Sequence, residues 1–302
     1  MSVGPRTGAL PEVFCVCGPT ASGKTALAIE LARRLDGEIV SADSMQIYKY
    51  MDIGTAKPTP AERALATHHL IDFLEPSEEY SVAQYAQAAR AAISDIVSRG
   101  KVPVLCGGTG QYVSALVENL EFSETASDPE LRAELTAYAA ANGTAALNAL
   151  LAESDPEAAE RIHPNDLKRN VRALEMYRLT GKTLARRNLE SRGRAPFAKY
   201  RVYGVDMPRD ELYRRIDRRV GLMLEAGLVG EAQELKKHLP GRTASQAIGY
   251  KELDAYFNGE STLEEAAELI ARRSRNYAKR QLTWFRHLSW VEWRTPEEFA
   301  AI

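Results

Sequence analysis

Apolar residues along the first 120 positions alternate between two textures: compact runs of about five, and longer stretches at helical spacing. Val13-Phe14-Cys15-Val16-Cys17 is such a run; it breaks at a glycine loop, and Thr25 to Leu35 continues as a helix. Further runs predict strands at Glu38 to Ser41, His68 to Phe73 and Val102 to Cys106. Between the last two, Ser81 to Ser98 has helical spacing, stopped by Gly100. After Gly107-Gly108-Thr109-Gly110, a helix is predicted from Gln111 to Leu120. Strand–helix alternation of this kind builds a parallel sheet with helices on its faces.

The texture changes near Ser123. From Asp128 to Gly181 only helices are predicted, with starts at Asp128-Pro129, Ser154-Asp155-Pro156 and Pro164-Asn165-Asp166 and stops at Gly143 and Gly181. Arg201 to Val205 reads as a returning strand. Helices follow at Arg209 to Ala226, Val229 to His238, Ser245 to Phe257 and Leu263 to His287. The fold class is therefore α/β: a core over 1–122, a helical insertion over 123–195, and a return to the core with C-terminal helices over 196–302.

Composition narrows the class. Of 302 residues, 45% are hydrophobic and 26% charged, enough for a real core and not a fibrous chain. The apolar run at Val13 has five residues against the roughly eighteen of a membrane span, and the N-terminal stretch lacks a secretory apolar segment. Three cysteines (Cys15, Cys17, Cys106), in strand-like runs, read as buried thiols in a reducing cytoplasm. With the five histidines they form no zinc spacing. The net charge of −2 hides a gradient. Residues 1–160 hold 11 basic and 22 acidic residues, 161–219 hold 17 and 7, and 220–302 hold 11 and 12.

Gly18-Pro19-Thr20-Ala21-Ser22-Gly23-Lys24-Thr25 matches G-x-x-x-x-G-K-[ST] between a strand and a helix. Backbone N–H groups of such a loop surround a di- or triphosphate, Lys24 would neutralise it, and the Thr25 hydroxyl would ligate Mg²⁺. An ATP hydrolase would also need an apolar strand ending in Asp or Glu, whereas Val102–Cys106 ends in glycines. Asp43 follows the second strand and has two readings: a loop residue capping a turn, or a proton acceptor beside a bound diphosphate. Thr109 is either a turn residue or a hydroxyl facing the same cleft. Lys168 and Arg172 share a helix face, opposite Leu167, Val171 and Leu174. Arg272 to Arg286 mixes six basic residues with Tyr277, Trp284 and Phe285 and has no acid. Both stretches are either solvated faces or nucleic-acid contacts.

These residues, in order, resemble the bacterial tRNA dimethylallyltransferases, also called tRNA isopentenyltransferases. The resemblance runs from about Val13 to Arg286. It rests on the phosphate loop, Asp43-Ser44 with Gln46-Ile47-Tyr48, Met51 to Pro58, Gly107-Gly108-Thr109, Ile162 to Asp166, Arg172 to Glu175, Ile248 to Lys251 and Lys279 to Trp284. It implies transfer of a dimethylallyl group from its diphosphate to N6 of the adenine 3′-adjacent to the anticodon, with Mg²⁺ and no ATP. It further implies that Asp43 accepts or orients the N6 proton, that Thr20, Lys24, Thr25 and Arg219 bind diphosphate, and that Thr109 assists at the reaction centre. Contacts to the tRNA anticodon stem-loop would come from Asp43, Ser44, Met45 and Gln46, from Thr109 and Arg132, and from Lys168, Arg169, Asn170, Val171 and Arg172. Gln246, Ala247, Ile248, Gly249, Tyr250 and Lys251 would join them, with Arg275, Lys279, Arg280 and the stretch to Gln281. A monomer without membrane attachment is expected.

Three other readings compete. An adenylate isopentenyltransferase would not need the basic insertion, a metabolite kinase would turn over ATP, and a non-enzymatic RNA-binding module would not need Lys24 and Thr25.

Overall fold

The computed structural model describes residues 10–120, 128–192 and 195–302. Six parallel strands form one sheet in the order β3-β2-β4-β1-β5-β6. They are β1 (Glu12–Cys17), β2 (Gly37–Ser41), β3 (His68–His69), β4 (Val102–Gly107), β5 (Lys199–Val205) and β6 (Val291–Arg294). The central strands are apolar on both faces, as a sheet covered by helices on each side requires. The helices of the first half are α1 (Lys24–Arg34), α2 (Pro60–Leu65), α3 (Val82–Ser98) and α4 (Gly110–Val117). Those of the second are α5 (Pro129–Asn142), α6 (Thr144–Ser154), α7 (Pro156–Arg161), α8 (Leu167–Thr180), α9 (Leu184–Arg192), α10 (Arg209–Glu225), α11 (Leu228–Lys237), α12 (Asp254–Phe257) and α13 (Leu263–Arg286).

The chain divides into two compact units. Residues 118–196 form one, and 1–117 with 197–302 the other. The sequence-based boundary at 122/123 lies outside the described residues. Unit 118–196 is helical and closes on its own core of Leu135, Leu147, Leu151, Ala158, Val171 and Leu174. Its helix starts are where the Asp residues predict them. Asp128 accepts from Glu130 N and Leu131 N, Asp155 from Ala158 N, and Asp166 from Arg169 N.

In the α/β unit, β1 continues through α1 to β2 on one side, while β5 and β6 extend the sheet on the other. The topological switch therefore falls between β1 and β4, and the crevice outside their carboxyl ends is the general ligand site of open α/β sheets. Register places these ends level: Cys17 pairs with Gly107, and Ser41 with Cys106. Ala42 N donates to Cys106 O and Thr109 N donates to Ala42 O, extending the ladder past the strands.

Three expectations change. The strand predicted over 68–73 stops after His69, because Leu70 and Asp72 turn the chain at φ of 58° and 59°. The helix predicted from Ser245 to Phe257 is broken into 3₁₀ turns at Ala244–Gln246 and Lys251–Leu253 before α12. Gly249 causes the break, with φ of +104° and its N–H held by the Glu252 carboxylate. Strand β6, absent from the sequence-based assignment, is recruited at the edge by β5, where Gly204 leaves room for the Trp293 ring.

Candidate functional site

The phosphate loop lies between β1 and α1, with Ala21 in the left-handed region at φ 63°. Lys24 Nζ donates to Pro19 O at 3.2 Å. Arg219, from α10, donates to the Thr20 hydroxyl at 3.3 Å, so the two cations stand at one end of the loop. Burial lowers the pKa of both below their ordinary values, and the negative charge of Asp43 opposes the shift in each. Two partly desolvated cations sharing one carboxylate make a site that gains electrostatically from an arriving polyanion. The Ser22 hydroxyl is buried without a hydrogen-bond partner. Cys106 lies under the loop, its Sγ 3.7 Å from Lys24 O, and burial pushes its pKa up to about 12. At that value the thiol is inert.

Asp43 has the turn-capping geometry of the first of its two readings. Its Oδ1 accepts from Met45 N (2.9 Å) and Gln46 N (3.3 Å), which caps the turn after β2. Its Oδ2 accepts no hydrogen bond from the described residues, so one oxygen stays available for a proton. Thr109 sits beside it through Ser44, accepting from Ser44 N at 2.9 Å and donating to Ser44 Oγ at 3.2 Å. The Tyr277 hydroxyl, from α13, faces Thr109, and burial raises its pKa.

A cavity of about 260 Å³ is bordered by Asp43, Ser44 and Tyr277, while Thr109 stands behind Ser44. Thr20, Lys24, Asp43 and Arg219 line a polar wall, while Ile216, Val220, Met223, Ile248 and Ile270 supply apolar surface. A second cavity of about 740 Å³ opens on the same loop and is lined by both Thr25 and Asp43. The Thr25 hydroxyl is an oxygen donor of the kind that suits Mg²⁺, which usually takes one or two protein oxygens and completes its octahedron with phosphate and water. Among the described residues no group of three or more His, Cys, Asp or Glu could hold a metal by itself.

Other expected residues divide by exposure. Gln246 and Lys251 are exposed and hydrogen-bonded to each other, and Ile248 and Gly249 line the cavity. Tyr250 and Ala247 are buried; the Tyr250 hydroxyl donates to Glu231 at 2.8 Å. On α13, Lys279 and Arg280 are exposed, while Arg275 is ion-paired to Asp217. In the helical unit, Lys168 and Arg169 point to solvent. Asn170 is fully buried and bonded to Asn148, His163 O and Asp166 O, and Val171 is in the core. Arg132 and Arg172 converge on the buried Glu175 carboxylate, at 2.8 and 2.6 Å. The side chains of Asn170, Val171, Ala247 and Tyr250 are buried, and Ala247 also lines the cavity.

Residues without an assigned role in the sequence are also at work. The Glu231 carboxylate accepts from Asp52 N, Ile53 N and Gly54 N as well as from Tyr250, anchoring the turn that carries Gly54 and Thr55 to the cavity wall. Lys57 is buried and satisfied by Tyr48 O, Asp52 and Asp72. Gln281, at the end of the stretch expected to contact tRNA, is only 5% exposed. Its signal in the sequence is a polar residue on the helix stripe that carries Ile270, Ala278 and Phe285.

A phosphate loop at the switch of a parallel sheet, with an apolar cavity and a free carboxylate oxygen beside it, defines a P-loop α/β protein equipped for group transfer. The sequence matches the IPP transferase family over residues 46–288. It is 49% identical to a tRNA dimethylallyltransferase of Acetivibrio thermocellus, over 96% of this chain and 93% of that protein. Among solved structures, a tRNA isopentenylpyrophosphate transferase from Bacillus halodurans superposes with a TM-score of 0.69 at 44% identity, covering 94% of this chain and 89% of that one. A eukaryotic dimethylallyltransferase solved acting on tRNA gives a TM-score of 0.78 at 30% identity, covering 91% and 70%. This chain belongs to the IPP transferase family.

Proposed function

We propose that the protein transfers the dimethylallyl group of dimethylallyl diphosphate to the exocyclic N6 of the adenine 3′-adjacent to the anticodon of tRNA. The observation that carries the reading is the cavity in which a cationic loop end, an apolar wall and Asp43 meet. In this reading the diphosphate lies along the loop from Gly18 to Thr25, against Lys24 and Arg219. The five-carbon group takes the apolar surface, which also keeps water from a reactive allylic carbon. The N6 lone pair forms a bond to C1 of the donor as the C1–O bond breaks, and that electron pair leaves on the diphosphate. The N6 proton passes to Asp43 Oδ2. Lys24 and Arg219 stabilise the charge growing on the leaving group, and Thr109 with Ser44 fixes the turn beside the acceptor. When Mg²⁺ is bound, with Thr25 as the candidate oxygen ligand, it would supply further neutralisation of the diphosphate.

The target adenine would enter unstacked from its loop. Lys168 and Arg169 of the helical unit, and Lys279 and Arg280 of α13, are the exposed cations available for tRNA phosphates. A cytoplasmic monomer goes with this reading. Among the described residues no helix is long and apolar enough to cross a membrane.

The test is incubation with labelled dimethylallyl diphosphate, Mg²⁺ and bulk tRNA, with AMP and ATP in parallel. Label in tRNA, mapped to N6 of the adenine following the anticodon, is the expected result. Label in AMP instead, or phosphate transfer from ATP, would overturn it.

A further inference from the structure

Helix α13 contributes one polar side chain to the seam between the phosphate loop and the turn after β4. Gln281 Oε1 accepts from Thr20 N at 2.8 Å, and its Nε2 donates to Gly108 O at 2.8 Å. The amide is buried and uses both ends. The turn is shaped around it: a Cβ on Gly108 would lie 2.2 Å from Gln281 Nε2. One helical turn away on either side, Tyr277 faces Thr109, and Trp284 Nε1 donates to Ser114 Oγ at 3.2 Å while its ring covers Gly110.

We infer that Gln281 is a positioning residue that locks the phosphate loop to the Gly107–Thr109 turn and so fixes the distance between the donor site and the acceptor side of the cavity. The inference rests on the prenyl-transfer reading. Thr20 is held at two points, its N–H by Gln281 and its hydroxyl by Arg219. Its N–H is thereby committed, and the N–H groups that cradle the diphosphate begin at Ala21. Thr109 is held by the turn whose carbonyl Gln281 grips, and through Ser44 it borders Asp43. One planar amide thus connects the strand ends on either side of the switch. Because transfer needs the amine and C1 in near-attack geometry, a misplacement of about 1 Å costs on the order of 10²-fold in rate. A glutamine is suited to this because one rigid group both accepts and donates.

The same chemistry supplies the test. A protonated glutamic acid accepts through its carbonyl and donates through its hydroxyl, while the carboxylate only accepts and repels Gly108 O. Gln281→Glu should restore the clamp at low pH and break it at high pH. Gln281→Met, of similar shape, should break it at every pH. The titratable and charged groups lining the same cavity are Lys24, Asp43, Arg219, Lys251, Tyr277 and Arg280. They are common to wild type and variants, so the ratio of variant to wild-type rate isolates position 281.

Single-turnover transfer at saturating donor and tRNA is measured between roughly pH 5.5 and 8.5, with binding of inorganic diphosphate by calorimetry and thermal unfolding alongside. Gln281→Met is expected to be slower by about 10- to 100-fold throughout and to bind diphosphate several-fold more weakly. The Gln281→Glu ratio should rise at least about fivefold as pH falls across that range. A Gln281→Met rate within about twofold of wild type, whatever its thermal stability, reduces Gln281 to packing and overturns the inference, as does a flat Gln281→Glu ratio. If wild type itself transfers nothing to tRNA, the functional reading fails, and diphosphate binding by the two variants still decides whether position 281 orders the loop.

Discussion

At the scale of single residues, the site separates the two oxygens of one carboxylate. Asp43 Oδ1 holds the turn while Oδ2 accepts no hydrogen bond from the described residues, so Asp43→Asn keeps an acceptor for Met45 N and Gln46 N. Inorganic diphosphate should therefore still bind this variant, while transfer slows by about 10²-fold or more, the scale of a lost general base. Equal single-turnover rates would remove Asp43 from proton transfer. A second carboxylate, Glu38 on β2, has a purely structural part. It is buried among Arg99, His69 and Lys101, and the Arg99 guanidinium above all holds its pKa down to about 2. A lowered folded-state pKa means stability that is complete above the unfolded value near 4.5 and is lost as pH falls toward 2. Glu38→Gln should cost roughly 1–3 kcal/mol at neutral pH, and the difference should shrink on acidification below 4.5. A urea-unfolding difference that stays constant from neutral to acid pH would contradict this.

At the scale of elements, the site depends on how closely strand ends approach. A Cβ on Gly107 would lie 2.1 Å from Ala42 O, a backbone atom that cannot rotate away. Gly107→Ala should therefore force β2 from β4 and lower stability by roughly 1–3 kcal/mol, read as a lower urea midpoint. An unchanged midpoint would mean that the strand ends slide freely. Helix α13 shows why one element can carry several duties. Ala266, Ile270, Ala278 and Phe285 face the core, Tyr277, Gln281 and Trp284 meet the turn after β4, and Arg272, Arg273, Lys279 and Arg280 remain exposed. Of its aromatics, Phe285 is core, Trp284 covers Gly110 yet stays 44% exposed, and Tyr277 lines the cavity.

At the scale of the whole molecule, the charge gradient does not map onto one arm. The basic block 161–219 crosses from the helical unit, with ten basic and three acidic residues over 161–196, into the α/β unit, with seven and four over 197–219. Several of those cations are already paired, as Arg172 is with Glu175, and Arg214 and Arg215 with Glu211. The exposed pair Lys168 and Arg169 makes the cleaner probe, although Arg169 leans on Asp166 at 3.4 Å. Replacing both by Gln should flatten the salt dependence of tRNA affinity by up to about 1.4–1.8 in log–log slope, at 0.7–0.9 per phosphate. Filter binding over a salt series measures it, and a wild-type slope would make this a solvated face.

What the sequence alone determined is what neighbouring residues settle among themselves. The phosphate loop, its flanking strand and helix, the glycine turn after β4 and the Asp caps of the helical unit follow from local sterics and hydrogen bonds over a few positions. The ordered motifs also carried the family. Tertiary structure decided whatever joins distant segments. Gln281 reaches Thr20 across 261 positions and Gly108 across 173, so only the packing of α13 against the sheet makes its amide a clamp. Burial of Asn170, Val171, Ala247 and Tyr250, the recruitment of β6 and the breaking of the 245–257 helix have the same origin. A side chain's exposure and an edge strand's partner depend on what the rest of the chain places beside them, and periodicity along one segment contains no term for that neighbour.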